Sequence, residues 1–324
     1  MKPTVIFLLF LKILYSNQPS STIPASTYSI VAYDPETGQL GVAVQSHWFS
    51  VGFLVPWAKA GVGAVATQSF VKVEYGPDGI NLMEEGFTAK EALKKLLLED
   101  KAKEVRQVSM IDTKGNVATH TGSKCIYAAG HFIGDNYSVQ ANMMEKESVW
   151  DAMSYAYENT KGDLADRLMA ALESAEKEGG DIRGKQSAAM LIVSGEPTGF
   201  SWKDIEMDLR VDDHPEPLNE LKRLIRISRA YHHANKGDYF LELNQINNAL
   251  QQYDLASSYY PENPELPYWS AVALVKTGRF NKAIPIFRNV FRKEPRLRIL
   301  IPRLVKAGLL PDDADVITKI MNIK

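Results

Sequence analysis

The sequence predicts an α+β domain with antiparallel strands, followed by a small all-α domain. Three observations carry this. Strand-like runs lie at both ends of residues 27–213, with helical runs between them. Two turn sequences, Asp34-Pro35-Glu36-Thr37-Gly38 and Asp112-Thr113-Lys114-Gly115, each join a pair of strand-like runs. Beyond Pro215-Glu216-Pro217 the composition becomes helical and repeats with a 34-residue period.

The first hairpin pairs 28–33 with 39–45. Residues 61–67 are a third strand, in which Gly61 and Gly63 suggest close approach of another backbone. Thr88-Ala89-Lys90-Glu91 is a capping box, so a helix runs from there to about Glu99. The second hairpin pairs 107–111 with 116–120, and residues 148–159 and 164–176 read as helices. Residues 187–193 are an apolar strand. In the last strand, Ile205, Met207, Leu209 and Val211 alternate with Asp204, Glu206, Asp208 and Arg210, the pattern of a half-buried strand. After residue 213, Ala249, Tyr253, Ala256 and Pro261 recur as Ala283, Phe287, Val290 and Pro295. That is the tetratricopeptide period, and residues 214–324 are expected to form such a helical domain and to engage a protein partner. An ordinary helical bundle with a chance period is the alternative.

Hydrophobic residues make up 45% of the 324 and the net charge is -2, so no polyanionic partner is implied. From His214 onward there are 17 Lys and Arg against 11 Asp and Glu, but no nucleic-acid module interleaves them with aromatics, so no nucleic-acid partner is expected. Cys125 is the single cysteine, which excludes an intrachain disulfide. The histidines show no ligand spacing, so no metal and no cofactor are expected.

Residues 1–26 read as a secretory leader. Lys2 precedes an apolar core from Val5 to Leu11, too short to span a bilayer well, and 16–26 is small and polar. The chain is therefore expected to be exported, to the periplasm or beyond. A cut after Ser26 makes Thr27 the first mature residue, although it places Pro24 three residues before the break; a cut after Ala25 would expose Ser26. A terminal Thr carries a hydroxyl nucleophile and a free amine on one residue.

Polar residues at strand ends are the other candidates for chemistry. Gln45, Ser46 and His47 close the second strand, and Thr67 and Gln68 the third. Residues 179–187, Gly-Gly-Asp-Ile-Arg-Gly-Lys-Gln-Ser, form a glycine-rich loop carrying Asp181, Arg183 and Ser187 into an apolar strand. Each has a structural alternative: Thr27 as a plain β-former, the strand-end groups as backbone partners, the loop as a helix C-cap.

Five blocks carry a resemblance: 27–32, 41–46, 61–68, Arg106-Gln107 and 179–189. In that order they resemble the blocks of domain-of-unknown-function family 1028, which is grouped with the N-terminal nucleophile (Ntn) hydrolases. The resemblance implies a four-layer αββα sandwich, a hydrolase acting on a C–N amide bond, and assembly into a homo-oligomer. It places Thr27 where the nucleophile stands. Lys59 and the Asp181/Ser187 pair are loose counterparts of residues that proteasome-type members hold near the nucleophile. Gln45 or Ser46 stands where those members have an Asp, and Ala141 where the family usually has Gly.

The expected chemistry follows. The Thr27 hydroxyl attacks a carbonyl and its own amine, with a pKa of about 7.7–8.0, takes the proton. Backbone N–H groups with Gln68 or Asn142 stabilise the oxyanion, and Lys59 or Arg183 keeps the amine neutral. Asp181 and Ser187 orient the terminus. Gln45, Ser46, His47 and Thr67 line the site for a small-molecule or peptide amide. The rival expectation is an inactive Ntn-like binding module with a helical-repeat interaction tail.

Overall fold

Thr27 opens a strand held on both sides, and the rest of the first unit is arranged around it. The structure is a computed structural model in which residues 27–323 are described. The expected leader lies outside the described residues. The chain divides after Lys222 into two units.

In the first unit, β1 (Thr27–Tyr33) and β2 (Leu40–Ser46) form the first hairpin. A 3-10 turn, Val51–Phe53, leads to β3 (Pro56–Lys59) and β4 (Gly63–Ser69). Helices α1 (Tyr75–Glu84) and α2 (Ala89–Glu99) follow, then β5 (Arg106–Asp112) and β6 (Val117–Thr121). Next come β7 (Gly130–Gly134), β8 (Tyr137–Asn142), α3 (Val149–Asn159) and α4 (Leu164–Lys177). The unit continues with β9 (Ser187–Val193), a short α5 (Ser201–Asp204) and β10 (Ile205–Val211). Every strand pairing is antiparallel, in a six-stranded sheet ordered β10-β9-β2-β1-β8-β7 and a four-stranded sheet ordered β3-β4-β5-β6.

Strand alternation sorts each side chain to one face. On the faces the sheets turn to each other, Val31, Leu40, Val42, Val44, Ala64, Ala66, Ile111, Ala189 and Val193 form one apolar cluster. Helices α3 and α4 cover the other face of the six-stranded sheet, where Tyr28 of β1 donates to Glu176 of α4. Helices α1 and α2 cover the four-stranded sheet, packing Ile80, Met83, Ala92 and Leu93 on Val65, Val108 and Met110. The α2 start is as expected: Glu91 N–H donates to Thr88 Oγ1 at 3.3 Å, and Thr88 N–H to Glu91 at 2.9 Å.

Five helices and strands of the first unit are absent from the sequence reading, the short α5 among them. Strand β3 is four residues long, and α1 contains Gly76 and Gly79. Glycine weakens a helical pattern, but here it admits close approach: a Cβ on Gly76 would collide with the Trp57 ring. Strand β7 is bounded by Gly130 and Gly134, and β8 alternates Ser138, Gln140 and Asn142 with apolar residues. In addition, β4 continues to Ser69, which puts Gln68 inside the sheet rather than at its end.

In the second unit the chain is helical. Helix α6 (Pro217–Glu242) runs into it, followed by α7 (Ile246–Tyr259), α8 (Glu265–Lys276), α9 (Phe280–Lys293), α10 (Ile301–Lys306) and α11 (Ala314–Met321). The periodic positions Ala249, Tyr253, Ala256, Ala283, Phe287 and Val290 are all buried. Tyr268, Phe287, Phe291, Ile301 and Ile320 form the centre of the core.

Candidate functional site

At one end of the six-stranded sheet, four polar residues stand side by side on neighbouring strands. The register pairs Asn142 with Thr27, Thr27 with Ser46, and Ser46 with Ser187. All four are fully buried, and they share the face turned to the four-stranded sheet, because Ser29 and Val31 of the same β1 face reach Gln68 and the inner apolar cluster. The Thr27 hydroxyl donates to Ser46 Oγ at 3.2 Å. The Thr27 carbonyl accepts from Gln68 Nε2 at 3.0 Å and from Asn142 Nδ2 at 3.4 Å. Thr27 is thus fixed by its carbonyl and its hydroxyl.

Behind Thr27 lies a ladder of buried amides joining the two sheets. Gln68 Nε2 donates to Gln107 Oε1 at 2.7 Å, and Asn142 Nδ2 donates to the same oxygen at 2.9 Å. Gln107 Nε2 donates to the Ala141 carbonyl at 2.9 Å and to Thr121 Oγ1 at 2.9 Å. Ser29 Oγ donates to Gln68 Oε1 at 2.6 Å, and Gln140 Nε2 reaches Ser29 Oγ at 3.2 Å and the Ala66 carbonyl at 3.1 Å. A buried amide left unpaired is costly, so a ladder of this extent fixes how the sheets sit on each other. At its margin Thr121 Oγ1 lies 2.8 Å from His131 Nδ1. Burial, and then the neighbouring His120, lowers the His131 pKa.

The glycine-rich loop adjoins Ser46. Its Asp181 carboxylate, fully buried, accepts from Arg183 N at 3.0 Å, Arg183 Nη2 at 2.9 Å and His47 N at 3.2 Å. Gly180 and Gly184 take positive φ, +60° and +107°, which the tight loop requires. Ser187 Oγ donates to the Trp48 carbonyl and accepts from Val51 N at 3.1 Å. Asp181, Arg183 and Ser187 therefore shape residues 47–51, directly after Ser46. His47 Nδ1 is buried without a hydrogen-bond partner among the described residues.

Of the residues expected from the sequence, Thr27, Ser46, Gln68 and Asn142 meet directly, with Ser187 at the end of their row. Three do not join them. Gln45 faces the helix side of the sheet, where its amide lies against the Tyr28 hydroxyl and Glu176. Burial first, and Glu176 second, raises the Tyr28 pKa well above a free phenol. Thr67 also points outward, its hydroxyl donating to the Lys72 carbonyl at 3.2 Å. Lys59 is half-exposed, with its ammonium 2.6 Å from Glu84. It pairs with Gly63, at the opposite end of β4 from Gln68. A one-residue step reverses the face for Gln45 and Thr67, and the β3 register carries Lys59 away.

Ser29, Gln107 and Gln140 were not singled out as site residues. The signal for them is alternation of polar side chains within otherwise apolar strands: Gln107 and Ser109 with Val108 and Met110, Ser138, Gln140 and Asn142 with Val139 and Ala141. Such alternation usually marks a solvated face, but both faces of these strands are buried. Among the described residues no three His, Cys, Asp or Glu side chains are grouped to hold a metal ion.

Residues 27–221 match a family described as a family of unknown function, DUF1028. No curated protein matches the chain. Among solved structures, the chain is similar to the crystal structure of protein SPO2555 from Silicibacter pomeroyi, itself a DUF1028 protein. The two share 29% identity with a TM-score of 0.56 over 62% of this chain and 85% of that one. Because the family match spans more than half of its length, the chain belongs to the DUF1028 family.

Proposed function

We propose that the first unit is an αββα sandwich of the Ntn-hydrolase kind and that Thr27, freed as a terminal residue on export, hydrolyses an amide bond. The observation that carries this is the position of Thr27. It is the first residue of β1, a strand flanked by β2 and β8, and its hydroxyl lies between the two sheets. Helices on the outer face of each sheet supply the layer order that the reading requires.

In this reading the free Thr27 amine accepts the hydroxyl proton as Oγ attacks the substrate carbonyl. The C–N bond breaks as the departing amine takes that proton, leaving an acyl ester on Thr27. Water, deprotonated by the same amine, releases the acid. Gln68 and Asn142 hold the Thr27 carbonyl, so they serve as positioning residues, and backbone N–H groups are the oxyanion donors. Lys59 is bound to Glu84, so the amine acts without it. Asp181 and Ser187 shape the adjoining loop. The helical second unit is read as a tetratricopeptide-like surface for a protein partner, because its periodic positions form the buried side of α7 and α9.

The test is the mass of the exported protein together with labelling by a β-lactone electrophile. The expected results are a chain beginning at Thr27, one label per chain, and a folded Thr27→Ala protein that takes no label and cleaves no acyl amide. Full cleavage by Thr27→Ala would rule the mechanism out. A binding module is the second reading, favoured by the complete burial of Thr27; a mature chain that begins elsewhere and stays unlabelled selects it.

A further inference from the structure

Helix α2 and the neighbouring sheet edges enclose a groove of 470 Å³. Its apolar floor is made by Leu93, Leu97, Leu98, Val117 and Ile133. Leu98 and Ile133 are unusually open for their type, at 74% and 47% exposed. Strand β6 is an edge of the four-stranded sheet and β7 an edge of the six-stranded one, so the groove runs along the side where both sheets end.

The rim has one sign of charge. Lys90, Lys94 and Lys103 line it, and no carboxylate does. Lys90 and Lys94 are one turn apart on α2, on the same side as Leu93 and Leu97. None of the three ammonium groups forms an ion pair among the described residues. Of the nearby carboxylates, Glu91 is held in the Thr88 cap, and Glu104, outside the groove lining, is held by Ser123, whose Oγ donates to it at 2.8 Å, and feels the Lys103 charge.

An apolar trough of drug-sized volume under a cationic rim fits a ligand with a hydrocarbon chain and an anionic head. We infer that this groove binds a straight-chain carboxylate, with the chain on the leucine floor and the head among Lys90, Lys94 and Lys103. The site is separate from Thr27 and does not depend on amide hydrolysis.

The experiment is calorimetric titration of the full chain with dodecanoate below its micelle concentration. Saturable binding at one site is expected, with dodecyltrimethylammonium at least tenfold weaker. The Lys90→Glu/Lys94→Glu double variant should lose tenfold or more in dodecanoate affinity, as should Ile133→Asn. These side chains are on the surface, so the circular dichroism spectra should match the wild type. Thr27→Ala should bind dodecanoate normally. Absence of saturable binding, equal binding of the ammonium amphiphile, or unchanged affinity in both groove variants overturns the inference. So does binding of an acidic helical peptide in place of dodecanoate.

Discussion

Replacing Gln107 with Leu should uncouple the two sheets where they meet beside Thr27. The change removes the oxygen that accepts from Gln68 at 2.7 Å and from Asn142 at 2.9 Å, and the nitrogen that donates to Ala141 and Thr121. Gln68 keeps its bond to the Thr27 carbonyl, and its second N–H falls back on a longer 3.4 Å contact to the Gln140 carbonyl. Asn142 Nδ2 keeps its longer 3.4 Å contact to the Thr27 carbonyl. Each short buried hydrogen bond to Gln107 that is lost or replaced by a long contact costs about 1–3 kcal/mol, so the two together cost about 2–6 kcal/mol. The leucine side chain recovers about 1–2 kcal/mol of this through apolar burial, leaving about 1–4 kcal/mol. The assay is native-state hydrogen exchange of β1 and β8 amides, which reports on the first unit alone. Each 1.4 kcal/mol is a factor of ten, so exchange should accelerate by about fivefold to a thousand-fold. An acceleration below threefold would show that the ladder does not carry the sheet contact, and the reasoning fails.

Other perturbations test separate parts of the fold. Asp100 and Arg106 form a buried pair at 3.0 Å, so Arg106→Leu should destabilise the first unit by about 3–5 kcal/mol in urea unfolding, by leaving Asp100 uncompensated. Burial alone would raise the Asp100 pKa, but the Ala102 N–H and Arg106 together bring it below the ordinary carboxylate value. A depressed carboxylate contributes stability above its unfolded pKa and loses it as pH falls through the folded one. Asp100→Asn should therefore flatten the acid limb of stability below about pH 4. Thr88→Ala should cost about 1 kcal/mol by removing the α2 capping box. Gly76→Ala should destabilise by more than 1 kcal/mol in thermal unfolding, against the general rule for helical glycine, because its Cβ meets the Trp57 ring.

How much of this could be read from the sequence depended on whether local pattern and burial agreed. The Thr88 cap and both hairpins were legible because their signals are short-range: a hydroxyl three residues from a carboxylate, or a glycine at positive φ such as Gly38 at +74°. Strand β8 was not, since Ser138, Gln140 and Asn142 look like a solvated face until a second sheet is placed over them. The same sheet explains the partial site. Thr27, Ser46, Gln68 and Asn142 share an inner face, whereas Gln45 and Thr67 are one residue out of step and fall on the outer faces. Lys59 could be placed only with the β3 register known. What the assembled site adds is a division of labour within one residue. The Thr27 carbonyl is held by amides from β4 and β8 and its hydroxyl by Ser46, and its pairing to β2 and β8 begins at Thr27 itself. The Gln68, Asn142 and Ser46 contacts to the Thr27 carbonyl and hydroxyl do not involve residue 26, so a chain starting at Thr27 can keep all three.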